Sequence, residues 1–451
     1  MKILYLAHRI PYPPNKGDKI RSFNHVKYLA ARHELDLICL VDDPEDLSGE
    51  KVLRSLCRRF YLCEYNQFQA KLKGLLSLMK GGSISAGYFY KTAVQHVFDQ
   101  WLSDRDYDAI ICFSSPMAEY LFRSNGLALN KRSSTSKCPQ LIMDFCDVDS
   151  DKWQQYAENA KFPLDKVYRL ENKRLASYEK KIYHTFDHSL LVSEKEKELF
   201  GRVCSNTDRI TVVRNGVDFK YFDPCGSNEK VSGLTGHANL TPESANSHEV
   251  SPTIVFTGAM DYHANVDGVC WFCRKVLPRL QEKFPNLKFL IVGSKPAAAV
   301  QNLNRLPGVK VTGFVDDIRD YYRQADICVV PLRLARGVQN KVLEAMAMGK
   351  AVVTTSKAND GIQAQDGTHL LIADSAEDFV CCTLKLLADR ELNGKISSCA
   401  RDFVVEQYDW QSNMAELSQL LKEEWVPTLK ATLRKESLHQ PQAGRAVGDL
   451  S

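Results

Sequence analysis

The sequence predicts an α/β protein built from two open, doubly wound parallel sheets in tandem. Three observations lead there. Short continuous apolar runs recur along the chain, amphipathic helical stretches separate them, and the rhythm breaks once before starting again. The break, residues 225–252, is rich in Ser, Asn, Gly, Thr and Glu. Continuous apolar runs suit parallel strands covered on both faces. At 451 residues the chain also exceeds one ordinary domain, at about 150 residues each.

The elements follow in order. Ile3–Ala7 is the first strand, then a Pro/Gly loop and a helix from about Asp18 to Arg32. Leu35–Val41, Phe60–Cys63, Ala109–Phe113, Gln140–Phe145 and Ser189–Val192 complete the first set. After the break, Thr253–Thr257 ends at Gly258, and one long helix runs to about Lys283. Lys288–Val292 ends at Gly293 and Val309–Thr312 at Gly313. Ile327–Val330, a helix from about Val338 to Met348, and Ala351–Thr355 come next. Helices near Ala376–Ala388 and Asn393–Gln407, and one after Trp410 to about Lys430, close the pattern. The expected division is a first α/β domain at 1–218, a flexible linker or insertion at 219–252 and a second α/β domain at 253–408. A helix at 409–435 packing back toward the first domain and a disordered tail at 436–451 follow. Two such sheets in tandem leave a cleft, with strand carboxyl ends and helix N-termini facing it.

Composition narrows the class. Apolar residues make up 44% and charged residues 25%, as in a soluble globular protein, and the net charge is only +4. Residues 1–220 carry 34 Lys and Arg against 28 Asp and Glu, a mildly basic half that fits an anionic acceptor, a membrane surface or simple solvation. No nucleic-acid partner is expected at this charge density. No run approaches the ~18–20 apolar residues of a spanning helix. Met1 to Ala7 passes straight into His8-Arg9 and the prolines, so it reads as a buried strand of a cytosolic protein and not as a leader. Several of the 14 cysteines (Cys39, Cys112, Cys328) lie inside strand patterns as small hydrophobes. Cys270 and Cys273 form a CxxC beside Trp271 and Phe272 with no second pair nearby, which favours packing over metal or redox chemistry.

The segment Pro331 to Lys350, PLRLARGVQNKVLEAMAMGK, carries the chemistry. A strand ends, a basic loop follows, and a helix begins near Val338. Exposed amides and the helix dipole make that point a natural diphosphate site, with Arg333, Arg336 and Lys341 adding positive charge. Glu344, one turn into the helix, could accept both hydroxyls of a ribose, and Gly349 ends the helix. An ordinary amphipathic helix with a solvated Glu and Lys accounts for the same residues equally well on physical grounds alone.

The segment resembles the donor-site motif of family 4 retaining glycosyltransferases of GT-B fold, Glu-Gly-x-Gly-x-x-x-x-Glu-Ala-x-Ala-x-Gly. More closely, the chain resembles the sugar transferases associated with the PEP-CTERM/exosortase exopolysaccharide systems. The shared motifs are His8-Arg9-Ile10-Pro11-Tyr12-Pro13-Pro14, Lys16-Gly17-Asp18-Lys19-Ile20-Arg21, Asp144-Phe145-x-Asp147-Val148-Asp149-Ser150, Asn215-Gly216-Val217-Asp218, Gly258-x-Met260-x-Tyr262 and Ala335 to Lys341. They span the chain up to about Trp410. The resemblance implies two Rossmann-like domains facing across a cleft and transfer of a hexose-type sugar. The donor is a UDP- or GDP-sugar, used as substrate with no other cofactor and no metal. The acceptor is lipid-linked or a polysaccharide. It implies that Glu344 binds the donor ribose, and that Lys341 with the amides of Val342 and Leu343, beside Asn340, meets the diphosphate. Gly258 lies close to the donor, and Phe314, Val315 and Asp316 frame the base. Gly17, with His8, Lys16, Asp18 and Arg21, forms the first-domain loop facing the phosphates and acceptor.

This sequence departs from the family at three points. The first Glu of the motif aligns with Arg336, and the usual basic pair aligns with Ala259 and Ala264. An expected His aligns with Asp, best matched by Asp147. With no metal, cations must stabilise the leaving diphosphate, so Arg336 and Lys341 are expected to replace the missing pair. Asp147 is expected to contact the sugar, although Asp144, Asp149 and Asp151 crowd the segment and one of them caps a helix as readily. His8 suits a structural, acceptor-contact or catalytic role alike, and Arg21 suits a surface charge as well as a loop contact.

Residues 68–90 carry Leu72, Leu75, Leu76 and Met79 at helical spacing among Lys71, Lys73 and Lys80. This is a helix for the surface of an anionic membrane, at the inner face of the cytoplasmic membrane, or one that packs its leucines into a core. Two other readings of the whole chain stand beside glycosyl transfer. A nucleotide-sugar epimerase would need an acid–base array that the sequence does not display. A catalytically silent GT-B scaffold would explain the missing Glu and basic pair, but not the retained Glu344 and Lys341.

Overall fold

The computed structural model describes residues 1–41, 43–124, 138–225, 251–335 and 337–422. Seven strands form the first sheet: β1 (Lys2–Ala7), β2 (Glu34–Val41), β3 (Arg59–Glu64), β4 (Ala109–Phe113), β5 (Gln140–Cys146), β6 (His188–Leu191) and β7 (Ile210–Val212). Six form the second: β8 (Thr253–Thr257), β9 (Lys288–Val292), β10 (Val309–Val311), β11 (Ile327–Val330), β12 (Ala351–Thr354) and β13 (Leu371–Ile372). The orders are β3-β2-β1-β4-β5-β6-β7 and β10-β9-β8-β11-β12-β13, with the pairings parallel. Both sheets are therefore doubly wound, and both switch direction beside their first strand, between β1 and β4 and between β8 and β11.

The apolar runs explain the layers. β1, β2, β4 and β11 bury nearly every side chain because helices cover both faces. In the first domain each face has its own core. One gathers Leu4, Leu6, Cys112 and Phe145, the other Ile3, Tyr5, Leu37 and Ile111.

Three details differ from expectation. The edge strands Ile210–Val212 and Leu371–Ile372 were not foreseen. The long helix after β8 is two, His263–Lys275 and Leu277–Lys283, because Pro278 has no N–H to continue the ladder and instead opens the second. The linker expected at 219–252 is packed where it is described, with Phe219 and Phe222 against the second core; 226–250 lie outside the described residues. Of the closing helix, Trp410–Lys422 is described, while 423–435 and the tail 436–451 lie outside.

The chain crosses between the domains twice, side by side. Val217 donates its amide to the Tyr408 carbonyl at 2.8 Å, and a Cβ on Gly216 would lie 2.6 Å from Trp410 Cγ. Helix Trp410–Lys422 then returns to the first domain. Met414, Leu417 and Leu421 enter its core, Ser418 Oγ meets Tyr28 Oη at 2.9 Å, and Gln140 Nε2 donates to the Leu420 carbonyl at 3.0 Å. Ion pairs also span the domains: Lys295 with Asp43 at 2.8 Å, and Lys195 with Asp360.

Candidate active site

The second sheet's switch point holds a compact polar cluster. Helix Asn340–Ala347 starts there, after the basic loop, and presents Lys341 and Glu344 on one side while Val342, Leu343 and Ala345 to Ala347 enter the core. Tyr322, on helix Arg319–Gln324, ties the cluster together. Its hydroxyl lies 2.8 Å from Thr257 Oγ1 at the end of β8, and donates to Glu344 Oε2 at 3.3 Å and the Lys341 carbonyl at 3.4 Å. Burial pushes the Glu344 carboxyl up to about 7, against the Tyr322 hydrogen bond and the Lys341 charge, which pull it down. Burial likewise lowers the Lys341 ammonium to about 8, against the attraction of Glu344. Lys341 Nζ donates to Asn265 Oδ1 at 2.6 Å and lies 4.9 Å from the centre of the Phe256 ring. Asn265 in turn donates to the Ala259 carbonyl at 2.8 Å.

Two glycines make room for this arrangement. A Cβ on Gly258 (φ +151°) would meet Asn265 Nδ2 at 2.7 Å, and one on Gly293 (φ +149°) would lie 1.7 Å from the Gly258 carbonyl oxygen. Gly293 donates to the Gly313 carbonyl at 3.2 Å, which brings the loop after β10 to the same edge. In that loop Phe314 is 77% exposed, Asp316 is exposed, and Val315 packs partly against the core.

The first domain faces this cluster with two of the expected residues. Gly17 opens helix Gly17–Ala30, and a Cβ there would lie 3.7 Å from Asn340 Nδ2. Asp147 Oδ1 lies 2.8 Å from the position a Cβ on Gly337 (φ +59°) would take, in the loop ahead of helix Asn340–Ala347. His8 is buried, stacked on Phe113 at 5.7 Å and edge-on to Phe89 at 5.3 Å, with Nε2 3.3 Å from Asp18 Oδ2. Arg9 reaches the same oxygen at 2.8 Å. Burial works against ionisation of Asp18, yet the His8 hydrogen bond and the Arg9 charge hold it well below the ordinary carboxylate range. Lys16 is exposed just ahead of the helix.

Other expectations change. Arg21 is neither a surface charge nor a loop contact: it is fully buried, bidentate to Asp144 at 2.9 and 3.2 Å, and donates to the Val213 carbonyl at 2.6 Å and Asn215 Oδ1 at 3.1 Å. Asp144, inside β5, needs that partner, which removes it from the candidates for sugar contact. Arg333 turns away to Asp267, its Nε 3.0 Å from Oδ2. The Val342 and Leu343 amides already donate to the Gln339 carbonyl at 2.9 and 3.4 Å, so the open amides at the helix start are those of Asn340 and Lys341, two residues earlier than expected. Arg336 lies outside the described residues.

Sequence reasoning missed Tyr322, Asn265 and Thr257. Among the described residues no cluster of His, Cys, Asp or Glu could hold a metal ion.

Residues 251–389 match the family model described as glycosyl transferases group 1. Over 426 residues, 90% of this chain and 96% of the other, the sequence is 21% identical to an uncharacterized 44.6 kDa protein in the cps region of Klebsiella pneumoniae. Sucrose-phosphate synthase from Thermosynechococcus elongatus superposes with a TM-score of 0.65 at 17% identity, covering 93% of this chain and 98% of that one. Anabaena HepE in complex with UDP superposes with a TM-score of 0.60 at 13% identity, covering 93% and 99%. The chain thus has the GT-B fold, two Rossmann-like domains across a cleft, and carries a glycosyl transferases group 1 domain at residues 251–389.

Proposed function

We propose that this protein moves a hexose-type sugar, with retention of configuration and without a metal, from a UDP- or GDP-sugar to a lipid-linked or polysaccharide acceptor. Its place is exopolysaccharide assembly at the inner face of the cytoplasmic membrane, as in the PEP-CTERM-associated subtype that it resembles. One observation carries the reading. Lys341 and Glu344 project from the first turns of one helix at the switch point of the second sheet; the start of that helix faces Gly17, and the loop just ahead of it faces Asp147. The chemistry follows from the spacing. A diphosphate at the helix start meets the Asn340 and Lys341 amides, the helix dipole and the Lys341 ammonium. A ribose one turn further along offers its two hydroxyls to Glu344, whose ionised carboxylate accepts both.

As the glycosidic bond breaks, charge builds on the diphosphate, where Lys341 and Arg336 offset it. Asp147 stands on the opposite wall to hold sugar hydroxyls or support positive charge at the anomeric carbon. The acceptor attacks from the same face as the departing diphosphate, and the His8–Asp18 pair lines the acceptor side. The HepE complex with UDP supports a nucleotide-linked donor, and the relative in a cps region supports a polysaccharide context.

A panel of UDP- and GDP-sugars, with nucleoside diphosphate release measured and the product anomer assigned by NMR, tests the reading. Release with one donor, and a product of unchanged configuration, is expected. Absence of both turnover and nucleotide binding across the panel, or inversion, overturns it.

A further inference from the structure

Helix Gln67–Met79 turns a row of large apolar side chains to solvent. Phe68 is 78% exposed, Leu72 54%, Leu75 49%, Leu76 46% and Met79 78%. Their spacing, i, i+4, i+7, i+8 and i+11, puts all five on one side of the helix. The face toward the protein is built from small residues, Ala70 and Gly74, together with Leu78. Gly74 lets the helix close on its neighbour Ile84–Phe89, since a Cβ there would lie 2.9 Å from Ile84 Cγ2. Leu72, Leu75 and Leu76 therefore do not pack into a core.

The flanks of this face are cationic. Lys71 lies on one side, Lys73 and Lys80 on the other, all exposed, and the helix has no Asp or Glu. The exposed Arg174 lies beside Gly81, just past the C-terminal end. An apolar stripe between two rows of cations matches the layering of an anionic bilayer surface, with acyl chains beneath and phosphates at headgroup depth.

We propose that helix Gln67–Met79 docks the protein on an anionic lipid bilayer, inserting Phe68, Leu72, Leu75, Leu76 and Met79 while Lys71, Lys73 and Lys80 pair with lipid phosphates. The docking helix shares a wall with the cleft. Helix Ile84–Phe89 packs on it and ends at Phe89, which meets His8 at 5.3 Å, and His8 contacts Asp18 next to Gly17. A docked protein thus holds the acceptor side of its cleft near the bilayer. The docking does not rest on the glycosyl-transfer reading, because lipid binding and donor turnover are measured separately.

Flotation of the full chain with vesicles of phosphatidylcholine alone, and of phosphatidylcholine containing one part in three phosphatidylglycerol, tests it. Binding to the anionic vesicles is expected, at least about tenfold tighter than to the neutral ones, and weaker at high salt. Lys71→Glu/Lys73→Glu/Lys80→Glu should weaken it by about a hundredfold or more, at about fivefold per lysine removed. Leu72→Gln/Leu75→Gln/Leu76→Gln should weaken it by a similar factor with all cations in place. Both variants alter only exposed positions, so their thermal unfolding should match the parent. Failure of the parent to float with anionic vesicles overturns the proposal, as does unchanged binding by the glutamine variant. So does a dimer of the parent that the glutamine variant dissolves in the absence of any lipid binding.

Discussion

The Lys341 ammonium donates to the Asn265 side-chain oxygen at 2.6 Å, so the cation at the start of helix Asn340–Ala347 is held by a neutral amide. A neutral partner orients the ammonium without cancelling its charge. An incoming phosphate competes with an amide and not with a carboxylate, which would add the Coulomb attraction of a full opposite charge to its hydrogen bond. Asn265→Asp should therefore weaken UDP or GDP binding by about tenfold, while Asn265→Ala costs less. Titration calorimetry with the free nucleotides checks the order, and equal or tighter binding by the aspartate variant contradicts it.

The Lys341–Glu344 pair sets a pH window. On the proposed reading, nucleotide binding uses Glu344 ionised, above about 7, and Lys341 protonated, below about 8. Affinity should peak between those values and fall on both sides, the two limbs belonging to the pair. Glu344→Gln should remove the acidic limb. The same shift makes a stability statement. Glu344 is raised above its unfolded value, so between about 4.5 and 7 the folded state binds more protons than the unfolded one, and stability falls as pH rises through that window. Lys341 stays charged in both states below about pH 7 and adds no slope there. Glu344→Gln should thus be stabilising by roughly 1–3 kcal/mol at pH 8 relative to its effect at pH 4.5. Denaturant titrations at the two pH values measure it.

Two glycines separate fold from function. Gly293→Ala drives a Cβ into the Gly258 carbonyl, 1.7 Å away, and should cost about 2–4 kcal/mol in thermal or denaturant unfolding. Gly337→Ala costs about 1 kcal/mol in backbone strain at φ +59°, but it also pushes on Asp147, 2.8 Å from the new methyl. Donor turnover should fall more than stability predicts. In Gly337→Ala/Asp147→Ala the stability loss should shrink while turnover stays low. Recovery of turnover in the double variant would remove Asp147 from the reaction.

Arg21 offers a contrasting case. Arg21→Met leaves Asp144 buried without its bidentate partner and should cost about 3–5 kcal/mol. Whatever protein folds at low temperature should keep the parent's KM for donor, because the guanidinium touches neither phosphate nor acceptor loop. A raised KM with unchanged stability would return Arg21 to the phosphate loop.

The sheets were legible because parallel strands covered on both faces leave continuous apolar runs, as in Ala109–Phe113 and Ile327–Val330. Ile210–Val212 and Leu371–Ile372 were not, because three or two residues at a sheet edge are too few to show a pattern. Pro278 was in plain view, and the helix break it causes follows from its missing N–H. At the site, the helix start with Lys341 and Glu344 could be read as a charge pattern. Tyr322 and Asn265 could not, since each earns its place through partners brought by folding from 22 and 76 residues away. Asp144 did carry a signal: a carboxylate within the run QLIMDFC must be buried and so must be paired. Its partner, 123 residues away, was beyond local pattern.

The most direct test of the account is calorimetric titration of UDP and GDP into the parent protein, Lys341→Met and Glu344→Gln at pH 7.5. One nucleotide should bind the parent, with each substitution weakening it by at least about tenfold at unchanged fold, since hydrogen bonds to charged groups are worth roughly 1.5–3 kcal/mol each. Equal affinity in all three proteins would contradict the account.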